Sequence, residues 1–371
     1  MTKCYICEST ITKENETEEH IILNSLGGKL KSKTLICRNC NSKLGNEIDS
    51  ELSDMLNPIA NLLNIDRDRG RAQAFKVYDS VNGETYNILP GGKPERSKPV
   101  IDEEINNGRG QVRITARSYK EARHILKGYK KKYKDFTKDI DDVIKEGSRN
   151  KTYITQPINI DLCVGNNNIY KAICKMAINF YIYVGGNSKY IKHLIPYILG
   201  ENNEDNYTRV YYKNSEIVLK NEEILHSLII KGDNSEGILF AYIELFNVYK
   251  YVVLLNESYS GEDIEHSYLF NVVTREKVNN NYNLSIKRND IIRNLNDNLD
   301  IDIVNRDFDM LFKFIEVYNQ NRVINNILNE SMKSSFDKHP ENSIMTMEML
   351  DEFLDHFSKE FVPFLSSRIS D

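Results

Sequence analysis

The chain has 371 residues, 49 Lys and Arg against 54 Asp and Glu, and a formal net charge of −5, with 40% hydrophobic and 28% charged residues. That length suggests two or three domains. The balance is ordinary for a globular protein, which excludes a chain dominated by disorder and argues against uniform polyanion binding, though not against local basic surfaces. No apolar run is long enough to cross a bilayer, and Met1-Thr2-Lys3-Cys4 lacks the apolar core of a secretory signal, so a cytoplasmic location without a membrane partner is expected.

Cys4 and Cys7, then Cys37 and Cys40, make two Cys-x-x-Cys pairs. Each pair can hold both sulfurs about 2.3 Å from one point, so two pairs close a tetrahedron around Zn²⁺ with no open position, and the spacing predicts a structural ion. Such an ion stabilises a segment too small to bury a sizeable core. A disulfide pair is the competing reading. Cys163 and Cys174 have apolar neighbours and are expected as buried free thiols.

Between the pairs, Thr17 to Ile22 reads as a strand leading to a turn at Gly27-Gly28, and Lys33 to Ile36 as a second strand. Leu44, Ile48, Leu52 and Met55 then recur at helical spacing, with Asn41 at the N-terminal end. This strand, turn, strand, helix order around one metal would bring His20 near Asn41. Asn41 is also a good helix cap, Glu19 closes an acidic run, and Asp49 reads equally as a carboxylate near the site or a surface charge.

The string Cys4-x-x-Cys7, Glu19-His20-Ile21-Ile22, Gly27-Gly28 and Cys37-Arg38-Asn39-Cys40-Asn41, followed by Gly45 and Asp49, resembles the zinc-knuckle subgroup of the HNH endonucleases, which have a ββα-metal fold. The resemblance covers residues 1–55. It implies His20 as the general base, and Glu19 and Asn41 as ligands of a catalytic Mg²⁺ or Mn²⁺, in hydrolysis of a nucleic-acid phosphodiester. Three positions depart from the family pattern: Glu19 replaces the commoner Asp, Ser32 stands at the central Asn, and Leu23 replaces Pro. Bracing of the loop must then come from elsewhere than that Asn.

Lys29, Lys31, Lys33, Arg38 and Lys43 surround this motif with no acidic residue among them, as phosphate contacts require. A second basic concentration follows a half-buried strand at Gln111 to Ala116. There, Ser118 to Tyr133 reads as a helix with Lys120, Arg123 and Lys127 in a stripe. A solvated lysine-rich face is the bland alternative for both.

Residues 56–110 are poorly patterned apart from a hairpin, Ala74 to Asp79 with Thr85 to Leu89, turning at Asn82-Gly83. Strands are expected at Thr152 to Asp161, Thr208 to Tyr212, Leu225 to Lys231, Ile238 to Phe246, Tyr249 to Asn256 and Tyr268 to Val273, in an antiparallel sheet. Helices are expected at Ile169 to Val184, Asp290 to Leu299, Asp307 to Glu330 and Ser343 to Phe361. The last has Met347, Leu350, Leu354, Phe357 and Phe361 on its apolar side. His226 and His266 are expected as structural histidines.

The expected fold class is α+β: a small N-terminal ββα-metal domain at residues 1–70, then a larger α+β domain at 71–371 with an antiparallel sheet and C-terminal helices, and a sub-boundary near 150. The expected function is a metal-dependent endonuclease with DNA as the favoured partner, of restriction or antiphage type. Two other readings stay open: a non-catalytic zinc-knuckle nucleic-acid-binding protein, and a nuclease gated by a ligand or protein partner. A homo-oligomer is also compatible with the sequence.

Overall fold

The protein is described here by a computed structural model covering residues 2–79, 83–106, 109–133, 136–148, 154, 158–202, 207–212, 217, 223–279, 281–294, 300–340 and 342–369. It forms two compact units, each built from two stretches of chain: 1–73 with 162–319, and 74–161 with 320–371.

In the first unit, β1 (Glu19–His20) pairs antiparallel with β2 (Lys31–Ser32), Glu19 opposite Ser32 and His20 opposite Lys31. The second strand therefore precedes the expected Lys33 to Ile36. Leu35 and Ile36 instead drop into the core as irregular chain just before Cys37, where burial outweighs the chance to pair. Between β1 and β2 the chain reverses through Gly27, which has φ 86°, and through Gly28, where an added Cβ would lie 1.9 Å from the Ile22 carbonyl oxygen. Only glycine fits that approach.

The helix α1 (Arg38–Leu44) passes through a π turn at Gly45–Asp49 into α2 (Ser50–Leu62). The cap position is held by Cys37, so Asn41 lies one turn inside the helix. The π turn rotates the following residues relative to the preceding face, and Asp49 is brought inside, 9% exposed.

The rest of this unit, which has further helices at Ile195–Ile198, Arg288–Asn294 and the start of Ile301–Phe336, centres on α3 (Asn167–Tyr183) against a six-stranded antiparallel sheet. Its strands are β3 (Thr208–Val210), β4 (Leu225–Asp233), β5 (Ile238–Leu245), β6 (Tyr249–Asn256), β7 (Ile264–Asn271) and β8 (Glu276–Val278). Their spatial order is β8-β7-β4-β5-β6-β3. Alternate residues face opposite ways, so Leu228, Ile230, Ala241, Ile243 and Val253 join a core shared with α3, α1 and α2, while Leu225, Ile229, Phe240, Tyr242 and Val252 form a second core with Ile286 and Ile291. Both faces of β5 are covered, and every one of its residues is buried. Asn166 caps α3, its Oδ1 accepting from the Ile169 amide at 3.0 Å.

The second unit contains a four-stranded sheet whose hairpin, Phe75–Asp79 with Thr85–Leu89, falls where expected; part of its turn and half of the expected strand from Thr152 lie outside the described residues, and Ile158–Asn159 of that strand joins the sheet. Strands Lys93–Arg96 and Val100–Asn106 were unmarked in the sequence because they are polar. Val100–Asn106 pairs with Arg109–Thr115, which precedes the basic helix Tyr119–Lys132. The last helix, Met347–Ile369, packs through a seam shifted from the expected one: Phe353, Phe357 and Phe361 stack in series and Met349 and Phe364 are buried, whereas Met347 and Leu354 are exposed. Aromatic stacking selects the face.

Cys163 is exposed rather than buried, because it lies on irregular chain ahead of α3; Cys174, on α3, is buried. His226 is fully buried on β4. Its Nδ1 accepts from the Phe246 amide at 3.3 Å and its Nε2 donates to the Leu26 carbonyl oxygen at 3.0 Å, which ties the N-terminal loop to the sheet. Burial lowers its pKa to about 4, below the ordinary value of about 6.5 in the unfolded chain. The unfolded state therefore binds the extra proton first as pH falls. Stability present above pH about 6.5 should drop by about 2 kcal/mol at pH 5, and urea denaturation at pH 7 and pH 5 should lose that difference in His226→Asn.

Candidate metal centres and active site

The first metal centre is built by two turns. Cys4 and Cys7 lie on a tight loop in which the Cys4 amide donates to Ser9 O and the Glu8 amide to Cys4 O, both at 2.9 Å. Cys37 and Cys40 flank the first turn of α1. The four Sγ atoms lie within 4.8 Å of one another, and Cys7 Sγ is 3.7 Å from Cys37 Sγ. A tetrahedron with 2.3 Å metal–sulfur bonds has edges of about 3.8 Å, so the thiolates fit zinc, and all four cysteines are free of disulfides. Burial pushes the Cys4 and Cys40 thiols up; at Cys7 burial acts the same way but hydrogen bonds, chiefly from Ser9, outweigh it and lower the pKa to about 6.

Glu19 and His20 are neighbours on β1 and face opposite environments. Glu19 is 3% exposed; its Oε1 accepts from Lys175 Nζ at 2.6 Å and from Asn179 Nδ2 at 2.8 Å, both on α3. Lys175 Nζ also meets Asp49 Oδ2 at 2.6 Å, and Asn179 Oδ1 accepts from Tyr5 Oη at 2.7 Å. Burial raises the pKa of both carboxyls against the pull of the ammonium, and for Lys175 the two carboxylates outweigh burial and keep it charged.

His20 is partly exposed, with Nε2 3.2 Å from Asp68 Oδ2. Asn41 donates from Nδ2 to Thr17 Oγ1 at 3.1 Å. Glu19 and Asn41 carry oxygen donors of the kind that suits Mg²⁺ or Mn²⁺, but Glu19 is buried against Lys175 and Asn179 while Asn41 bonds to Thr17, and no hydrogen bond joins the two. Ser32, at the position of the family's central Asn, accepts from the Thr34 amide at 3.1 Å and so braces β2 locally.

Of the expected phosphate contacts, Lys29 lies 2.6 Å and Lys31 3.7 Å from Asp68, Lys31 also meets Glu18 at 2.9 Å, and Lys33 meets Glu16 at 3.3 Å. Arg38 reaches the Glu16 carbonyl oxygen at 3.4 Å, and Lys43 is exposed in the last turn of α1. Lys120, Arg123 and Lys127 are exposed on the basic helix of the second unit, with Arg123 2.6 Å from Asp141.

Three residues outside the motif went unmarked. Lys175 and Asn179 belong to a polar stripe, Lys171-Lys175-Asn179, at four-residue spacing on an otherwise apolar helix, and that stripe was the available signal. Asp68 had none.

Residues 4–57 match the family model described as HNH endonuclease. That segment is similar to the HNH endonuclease family. The match takes in Glu19, His20, Asn41 and all four clustered cysteines, and stops short of Asp68, Lys175 and Asn179. No curated protein and no solved structure matches the chain.

Zinc analysis of the purified protein should give one ion per chain, and Cys37→Ser or Cys40→Ser should remove it. Lys175→Met should destabilise the fold by about 3–5 kcal/mol in urea denaturation, because two carboxylates lose their shared counter-charge in the interior; adding Glu19→Gln and Asp49→Asn should recover most of that loss.

Proposed function

We propose that the protein is an endonuclease hydrolysing phosphodiester bonds, with DNA as the favoured substrate, acting in the cytoplasm in a restriction or antiphage setting. What supports this most directly is His20: within the matched segment it is a partly exposed imidazole that shares the carboxylate of Asp68 with Lys29 and Lys31. His20 takes the proton from the attacking water. A bound Mg²⁺ or Mn²⁺ supplies charge stabilisation for the departing oxygen. Glu19 and Asn41 hold that ion, and Lys29, Lys31, Lys33, Arg38 and Lys43 hold backbone phosphates without reading sequence. Residues 1–70 form the nuclease module, while 71–371 contribute further nucleic-acid contacts through Lys120, Arg123 and Lys127, and regulation.

The bonds from Lys175 and Asn179 to Glu19 favour one second reading: a ligand or protein partner that displaces α3 would change the environment of Glu19 and so gate the enzyme. Cleavage of supercoiled plasmid tests the main reading. Zinc-loaded protein should nick it only with added Mg²⁺ or Mn²⁺, and His20→Ala should lower the rate by about 10²–10⁴-fold. Equal cleavage by both proteins would remove His20 from the chemistry. Inertness that is relieved by cell extract would favour gating.

A further inference from the structure

Two ammonium groups and one imidazole from the matched segment converge on one carboxylate. Asp68 takes Lys29 Nζ at 2.6 Å on Oδ1, and His20 Nε2 at 3.2 Å and Lys31 Nζ at 3.7 Å on Oδ2. His20 and Lys31 are opposite each other in the β1–β2 pair, so their side chains leave the same face, and Lys29 follows the glycine turn that feeds β2. The arrangement is anchored by backbone. The Asp68 amide donates to Asn24 Oδ1 at 2.9 Å, Ile65 is buried against Gly27, and the Ile65 amide donates to Ala60 O at 2.9 Å.

The carboxylate thus occupies a preformed anion seat. Hydrogen bonds from Lys29 and His20 hold the Asp68 carboxyl far below the usual carboxylate range. A phosphodiester oxygen pair matches a carboxylate in charge and in its two acceptors, and Lys is a common phosphate binder. The seat includes His20, the residue proposed above as the base.

The geometry points to the His20, Lys29 and Lys31 seat as a binding site for a backbone phosphate of the nucleic-acid substrate, with Asp68 as an internal mimic that the substrate must displace. This rests on the endonuclease reading for the identity of the ligand. Asp68 then acts as a competitor: it keeps the seat assembled, offsets part of its positive charge in the free protein and weakens non-specific association. A phosphate entering the seat exchanges one anion for another, so the three donors need little rearrangement, and Asp68, which is about a third exposed, turns toward water.

The test is equilibrium binding of a short fluorescently labelled DNA duplex, by anisotropy, to zinc-loaded protein without added Mg²⁺ or Mn²⁺. Binding does not depend on cleavage, so the result stands apart from the fate of the nuclease reading, which the His20→Ala plasmid assay decides. Asp68→Asn keeps the shape of the side chain and removes its charge, and should tighten binding by about fivefold, the scale of an exposed ion pair released. Asp66→Asn makes the same charge change two residues away, where the partner is Arg275 at 3.0 Å, and should leave affinity within about twofold of wild type. In the Asp68→Asn background, Lys29→Ala should reverse the gain. Equal tightening by Asp66→Asn would reduce the effect to overall charge and overturn the seat. Unchanged or weaker binding by Asp68→Asn would overturn it as well, and circular dichroism of each variant confirms that the folded protein was measured.

Discussion

One ammonium group sets the interior of the first unit. Lys175 is 1% exposed and lies 2.6 Å from both Glu19 and Asp49, so a single positive charge serves two carboxylates that burial would otherwise drive to protonate. Each partner arrives by a separate device. Glu19 comes from the two-residue strand β1, Asp49 from the π turn after α1, and Lys175 from the middle of α3. Asn179, one turn further along α3, completes the set by bridging Glu19 and Tyr5.

The HNH segment is consequently part of a larger core. A zinc ion at the four cysteines would fix the crossing of the Cys4 loop and the start of α1, but Leu26, Leu44, Ile48 and Leu52 are buried in the same cluster as α3 and one face of the sheet. His226 adds a polar tie by donating to the Leu26 carbonyl oxygen. What stays outside is the face bearing His20, Lys29 and Lys31. The strand that carries His20 thus separates a sealed interior, where Glu19 is held, from an open surface suited to a charged substrate.

The sequence displayed those parts that rest on local chemistry. The cysteine pairs, the glycine turn and the apolar runs of β4, β5 and β6 are visible because metal spacing, a forbidden Cβ and continuous burial each leave a mark at short range. The second strand was displaced because Leu35 and Ile36 look like strand residues and serve instead as core on irregular chain. Val100–Asn106 carries Asp102, Glu103 and Glu104 and gave no apolar alternation to detect. The partners of Lys175 were illegible for another reason: Asp49 is 126 residues away, and no local pattern reports a contact at that separation.

Assembly of the first unit from 1–73 and 162–319 also fixes an order of events during synthesis. The ribosome releases the cysteine loop, β1, β2 and α1 before any of α3 exists, and the whole of 74–161 is made in the interval. During that time zinc alone can organise the segment, while Glu19 and Asp49 remain in water without their counter-charge. The carboxylate beside His20 reaches its final environment only when α3 docks, so a nascent or truncated chain holds the family motif without the enclosure around it.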